Sequence, residues 1–215
     1  MKWPICLLAD SYASFIVISP ATSSERVGVL GGTFDPVHLG HIAAANTARQ
    51  HLHLDRVLFV VAGDPWQKRG QVKASPNDRL DLVAAAVSDQ PGLEVCDLEV
   101  KRNQPSVTAD TLEDLVAPGR ELFLILGADA VANMSTWRRL EETRDLATVV
   151  VMERAGELAS PPGPGWKVEH VAMPTVNVSS SAIRENLLAN KSIAAMVPEA
   201  VATMITARNL YDVTR

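Results

Sequence analysis

The chain is poor in the features that announce several common protein classes. Two cysteines in 215 residues, Cys6 and Cys96, form neither a zinc-ligand spacing nor a disulfide framework. That scarcity fits a reducing compartment, and the cytoplasm is the expected location. Positive charge is also short, since 20 Lys and Arg against 25 Asp and Glu leave a formal net charge of −5. A broad nucleic-acid surface needs the opposite balance, so no nucleic-acid partner is expected. The apolar run at 15–18 (Phe-Ile-Val-Ile) is too short to span a bilayer, and no membrane association is expected. There is no internal repeat. Neither the Gly-Lys-Ser/Thr ending of a Walker loop nor the Gly-x-Gly-x-x-Gly dinucleotide fingerprint occurs at the glycine-rich stretch.

What remains is an ordinary globular composition, 47 % hydrophobic and 21 % charged, in a length that suits one medium domain with a real core. Residues 1–25 stand apart. Met1-Lys2-Trp3-Pro4 and the apolar patch after it look like the start of a signal peptide, but Asp10 interrupts the patch early. A Ser/Thr/Pro-rich stretch follows. The segment is read as a poorly ordered extension, with the folded domain spanning 26–215.

From Val27 onward, strand and helix patterns alternate. Residues 27–30, 56–62, 93–99, 121–126, 148–152 and 168–171 are short, mostly apolar and β-branched runs, suited to strands covered on both faces. Helices are expected from Ile42, over 77–87 behind Pro76, over 108–116 ahead of Pro118-Gly119, and over 179–188 and 199–210. Strands joined by helices of this length give right-handed crossovers and a parallel sheet. The Pro/Gly cluster at 160–165 reads as a surface loop.

The most informative stretch is Gly31-Gly32-Thr33-Phe34-Asp35-Pro36-Val37-His38-Leu39-Gly40-His41. It joins the first strand to the first helix, a place where backbone N–H groups and a helix N-terminus face an anion. His38 and His41 are three apart and share one face of the first helical turn. Both imidazoles are therefore expected on one phosphate, with Gly40 allowing close approach and Pro36 fixing the turn.

Three further segments carry chemistry. Lys68 ends Gly63-Asp64-Pro65-Trp66-Gln67-Lys68 after the second strand and brings a positive charge to the same end of the sheet. Asn103-Gln104-Pro105-Ser106-Val107-Thr108 leads into a helix whose N-terminus suits a carboxylate, or is simply capped by Ser106 or Thr108. Val178-Ser179-Ser180-Ser181-Ala182-Ile183-Arg184 offers hydroxyls, N–H groups and a guanidinium fork to phosphate oxygens.

The glycine-rich stretch resembles the signature of the nucleotidylyltransferase superfamily with the His-x-Gly-His motif, and the Ser179–Arg184 segment resembles that superfamily's second signature. Pro105-Ser106-Val107-Thr108, Gly127-Ala128-Asp129 and Trp137 are similar to features of bacterial nicotinate mononucleotide adenylyltransferases, with Val107 where the pattern has an aromatic residue. The resemblance covers about Val27 to Tyr211. It implies a Rossmann-like α/β fold, a doubly wound parallel sheet with helices on both faces in a single domain. It also implies adenylyl transfer from ATP to nicotinate mononucleotide, with Mg²⁺ accompanying ATP.

Carried over residue by residue, the resemblance implies catalytic roles for His38, His41, Lys68 and Arg184. ATP contacts are expected from Gly31, Gly32, Thr33, Phe34, His38, Gly40 and His41, from Gly127 and Asp129, and from Ser179, Ser180, Ser181 and Arg184. Mononucleotide contacts are expected from Asp35, Lys68, Thr108 and Trp137, the last stacking on the pyridine ring. Arg154 stands where relatives often carry a basic residue. No dedicated metal cage is expected, because Mg²⁺ is carried mainly by the nucleotide. A sister enzyme acting on another phosphate, such as phosphopantetheine, stays open, as does a nucleotide-binding regulatory protein without catalysis. Oligomeric state, a homo-oligomer included, is left open because no long apolar helix face stands out.

Overall fold

The computed structural model describes residues 24–102, 104–153 and 160–211. Six strands form one parallel sheet: β1 (Glu25–Gly32), β2 (Arg56–Val61), β3 (Leu93–Cys96), β4 (Arg120–Gly127), β5 (Thr148–Glu153) and β6 (Val168–Ala172). Their spatial order is β3-β2-β1-β4-β5-β6, and every neighbouring pair is parallel. The helices are α1 (Leu39–His51), α2 (Pro76–Val87), α3 (Leu98–Arg102), α4 (Thr108–Leu115), α5 (Ala128–Ala132), α6 (Leu140–Leu146), α7 (Ser180–Leu188) and α8 (Glu199–Ala207). Trp66–Lys68 and Met134–Thr136 are single 3₁₀ turns.

Both faces of the sheet are covered, which is why its strands read as continuous apolar runs. Alternate side chains point to opposite faces. Val57, Phe59 and Val61 join Phe123 and Ile125 in a core shared with α1, α2, α7 and α8. Val27, Val29, Leu58, Val60 and Leu124 join a second core beneath α4 and α5. Gly28 is a packing position, since a Cβ there would come within 2.9 Å of the Val57 side chain.

The strand order reverses between β1 and β4, and ligand clefts of such sheets open at the carboxyl ends of the strands around that switch. Here those ends are Gly31-Gly32 and Gly127. The expected strand over 93–99 needs correction. Pairing of β3 with β2 covers only Leu93 to Cys96, and the chain then turns into α3, opened by an Asp97–Lys101 ion pair one turn apart at 2.8 Å. β3 is an edge strand with Val95 exposed, so no second neighbouring strand holds those last residues extended. Helices α5 and α6 were not foreseen. Arg154 lies outside the described residues, as does the extension up to residue 23, whereas Glu25 already belongs to β1.

Candidate active site

The glycine-rich turn leaves β1 at Gly32 and enters α1 at Leu39. Phe34 adopts a left-handed φ of 51°, a strained conformation for a residue with a bulky side chain. Its ring is 2 % exposed. It lies under Gly32, where a Cβ would meet it at 2.8 Å, and edge-on to the His41 ring at 4.9 Å. Phe34 was expected among the ATP contacts. Phe34 borders the cavity that holds the histidines, and its ring, folded inward by the turn, also supports His41.

His38 and His41 lie together as anticipated from their spacing. Their rings stack at 3.6 Å, and His38 is buried at the N-cap of α1. The His38 backbone N–H donates to His41 Nδ1 at 3.2 Å. In the neutral ring the proton then resides on Nε2, leaving that nitrogen as a donor. Gly40 makes room chiefly for protein, since a Cβ there would sit 3.1 Å from the His38 ring and 3.2 Å from Val178.

The second serine-rich motif docks directly on the first. Ser179 Oγ caps α7 by accepting from the Ala182 N–H at 3.1 Å. Ser180 Oγ donates to the Pro36 carbonyl at 2.9 Å. Arg184 donates to the Asp35 carbonyl at 2.6 Å and to Ser181 Oγ at 3.3 Å. Two hydroxyls expected on phosphate oxygens are thus engaged in joining or capping the motifs, while the guanidinium, 22 % exposed, stays at the cavity wall.

Asp35 is 4 % exposed, and its carboxylate accepts the N–H groups of Lys73 and Ala74 at 2.8 and 3.0 Å. It borders the cavity containing the histidines, not the one containing Trp137. Those two backbone donors hold its carboxylate toward the loop ahead of α2.

Two cavities open side by side above the switch point. The first, about 390 Å³, is lined by His38, Gly40, His41, Gly127, Ser179 and Arg184, among others. The second, about 440 Å³, is lined by Trp66, Glu99, Ser106, Thr108, Thr111 and Trp137, among others. Gly31, Gly32, Thr33, Lys68 and Asp129 border both. Of the residues expected at the site, all but Thr108 and Trp137 line the first cavity, those two line the second, and Lys68 and Asp129 mark the junction.

The second cavity has an indole at Trp66 and another at Trp137, with a polar region from α3 and α4. Gln67 Nε2 donates to Thr136 Oγ1 at 2.8 Å, linking the two loops that carry those tryptophans. The N-cap of α4 is Val107, which has no capping side chain, and the first turn of this helix borders the cavity at Thr108 and Thr111. Beside them lies Glu99, 8 % exposed, accepting from Thr111 Oγ1 at 2.7 Å. Burial pushes the Glu99 carboxyl above the ordinary carboxylate range, with Ser106, Thr111 and Arg102 pulling the other way. Reading the sequence passed over Trp66, Glu99 and Thr111 as site residues. Glu99 falls inside the expected strand over 93–99, and Trp66 in the loop that ends at Lys68.

A doubly wound parallel sheet with a phosphate-type turn at its switch point and two adjoining cavities defines a nucleotide-handling α/β protein. The cytidylyltransferase-like family model matches residues 29–186. A probable nicotinate-nucleotide adenylyltransferase of Corynebacterium kroppenstedtii is 41 % identical over 89 % of this chain and 93 % of its own. One of Saccharopolyspora erythraea is 37 % identical over 87 % and 90 %. Among solved structures, the Plasmodium falciparum nicotinic acid mononucleotide adenylyltransferase complexed with NaAD superposes with a TM-score of 0.71 at 17 % identity, covering 87 % of this chain and 97 % of that one. That likeness concerns the fold. The chain belongs to the cytidylyltransferase-like family, and its near relatives in sequence carry the nicotinate-nucleotide adenylyltransferase name.

Proposed function

We propose that this protein transfers the adenylyl group of ATP to nicotinate mononucleotide, yielding nicotinate adenine dinucleotide and pyrophosphate for NAD synthesis. The observation that carries this reading is the pair of cavities meeting over Gly31-Gly32-Thr33 with Lys68 on both walls. A reaction that joins two nucleotides through their phosphates needs two binding chambers with one shared phosphate region. The relatives at 41 % and 37 % identity support the same substrates.

In this reading ATP occupies the first cavity. The triphosphate lies against the turn, His38, His41 and the N-terminus of α7, with Arg184 alongside. The mononucleotide occupies the second cavity, its pyridine ring against Trp137 and its carboxylate toward Thr108 and the N-terminus of α4. A phosphate oxygen of the mononucleotide attacks the α-phosphorus in line. The new P–O bond forms as the bond to the β-phosphate oxygen breaks, and pyrophosphate carries away that electron pair. Such a step asks the protein for placement and charge neutralisation. His41 Nε2–H donates to an oxygen gaining charge near the α-phosphorus, while Lys68 and Arg184 neutralise the departing pyrophosphate.

Among the described residues no three His, Cys, Asp or Glu side chains group as a metal cage. The cations, hydroxyls and N–H groups around the first cavity suit the anion itself, and the carboxylates of Asp35 and Asp129 also border it. In this reading Mg²⁺ enters as part of the MgATP substrate.

Pyrophosphate release with MgATP, comparing nicotinate mononucleotide, nicotinamide mononucleotide and phosphopantetheine, tests the reading. Strong preference for the first is expected. Preference for phosphopantetheine would overturn the substrate assignment, and silence with all three would overturn the enzymatic reading. The two indoles of the second cavity favour a flat ring over the flexible pantetheine arm.

A further inference from the structure

Arg79 is the largest fully buried side chain of the protein among those described, 1 % exposed, on the core-facing stripe of α2 with Leu82, Val83 and Ala86. Burial draws its pKa downward, partly offset by the nearby charge of Asp35. A leucine would fill an apolar stripe without the desolvation cost of a guanidinium. Packing α2 against the sheet therefore does not account for an arginine here.

Its hydrogen bonds do. Nη1 donates to the Thr33 carbonyl at 2.7 Å, Nη2 to the Gly63 carbonyl at 3.4 Å, and Nε to the Ala74 carbonyl at 3.3 Å. Thr33 belongs to the glycine-rich turn. Gly63 and Ala74 bracket the segment between β2 and α2 that carries Trp66 and Lys68. Ala74 is gripped a second time, by its N–H, through the Asp35 carboxylate at 3.0 Å. One forked cation thus ties both ends of the 63–74 segment to the turn, in three directions that only a planar guanidinium serves at once.

We infer that Arg79 is a positioning residue for the reaction, a buried clamp that sets where Lys68 and Trp66 stand over the two cavities. Arg79 borders neither cavity, so it acts through the segment it holds and not by touching substrate. The kinetic consequence rests on the function proposed above, whereas the clamp itself does not.

The test uses Arg79→Lys, which keeps the charge but not the fork, and Arg79→Met, an apolar replacement of similar length that removes the buried charge. Amide hydrogen exchange in the unliganded protein is compared over 64–73 and over β1 and β4. Roughly tenfold or faster exchange confined to 64–73 is expected in both variants, as for a locally released segment. Unchanged exchange there in a folded variant would overturn the clamp.

Turnover supplies a readout that general destabilisation does not move. Arg79→Lys is expected to lower kcat roughly tenfold in the wild-type background but less than about twofold in Lys68→Ala, the non-additivity of residues acting through one another. Equal factors in the two backgrounds would overturn the positioning role. Loss of turnover with nicotinate mononucleotide in the unsubstituted protein would instead sink the functional reading, and exchange alone would then decide the clamp.

Discussion

Arg184 donates through Nη1 to the main-chain carbonyl of Asp35 at 2.6 Å, across 149 residues of chain. This bond seats the N-terminus of α7 on the glycine-rich turn and makes two separate motifs one wall of the first cavity. It also puts the Arg184 charge 3.8 Å from the Asp35 carboxylate, which is itself held by two backbone N–H groups.

Replacing Arg184 by Lys keeps a positive charge but loses the fork that bonds Asp35 and Ser181 together. Apparent affinity for ATP is expected to fall about tenfold or more, the scale of one charge-assisted hydrogen bond. Initial rates at varied ATP check this, and an unchanged KM for ATP would count against the placement of Arg184.

His41→Ala removes the Nε2–H donor whose orientation is set by the His38 backbone N–H. Turnover is expected to drop by roughly 10²-fold or more, as for loss of a preorganised transition-state donor. Circular dichroism should remain unchanged. Near-normal pyrophosphate release from folded His41→Ala protein would remove His41 from the chemistry.

Trp137→Ala opens one side of the second cavity. Apparent affinity for nicotinate mononucleotide is expected to weaken by about tenfold, the scale of an aromatic stacking contact, with ATP affected less. Equal weakening of both substrates would place the pyridine ring elsewhere.

Glu99 supplies a pH-dependent signature. Its carboxyl is lifted by burial above the value it has in the unfolded chain, so between the two pKa values the folded protein holds more protons than the unfolded one. Stability from this group is fully present below the unfolded pKa and is lost as pH rises through the raised one. Glu99→Gln keeps an acceptor for Thr111 and cannot ionise. The Tm of the variant relative to wild type is therefore expected to climb as pH increases above about 4. A Tm difference independent of pH would mean that Glu99 ionises normally in its buried position.

Much of the architecture is legible along the chain because its signals are local. Each two-face strand is a short apolar run, and helix α2 starts where Ser75 accepts from the Asp78 N–H and Pro76 takes the first position. Helices α5 and α6 span only five and seven residues, too short for a 3.6-residue period to stand out. Arg79 carries a sequence signal of its own: at i, i+3, i+4 and i+7 with Leu82, Val83 and Ala86, it is a lone cation on an apolar stripe.

The sequence by itself determined that a glycine-rich turn with two paired histidines joins β1 to α1, since strand, turn and histidines are neighbours in the chain. Only the tertiary structure decided that Phe34 turns inward beneath His41, that Asp35 serves backbone N–H groups, and that Glu99 and Trp66 border the same cavity as Trp137. It also decided that Arg184 completes a wall begun 149 residues earlier. The physical reason is that these are contacts between segments brought together by the parallel sheet at its switch point. Neither residue type nor periodicity states which carbonyl, so far away in sequence, a buried donor will meet.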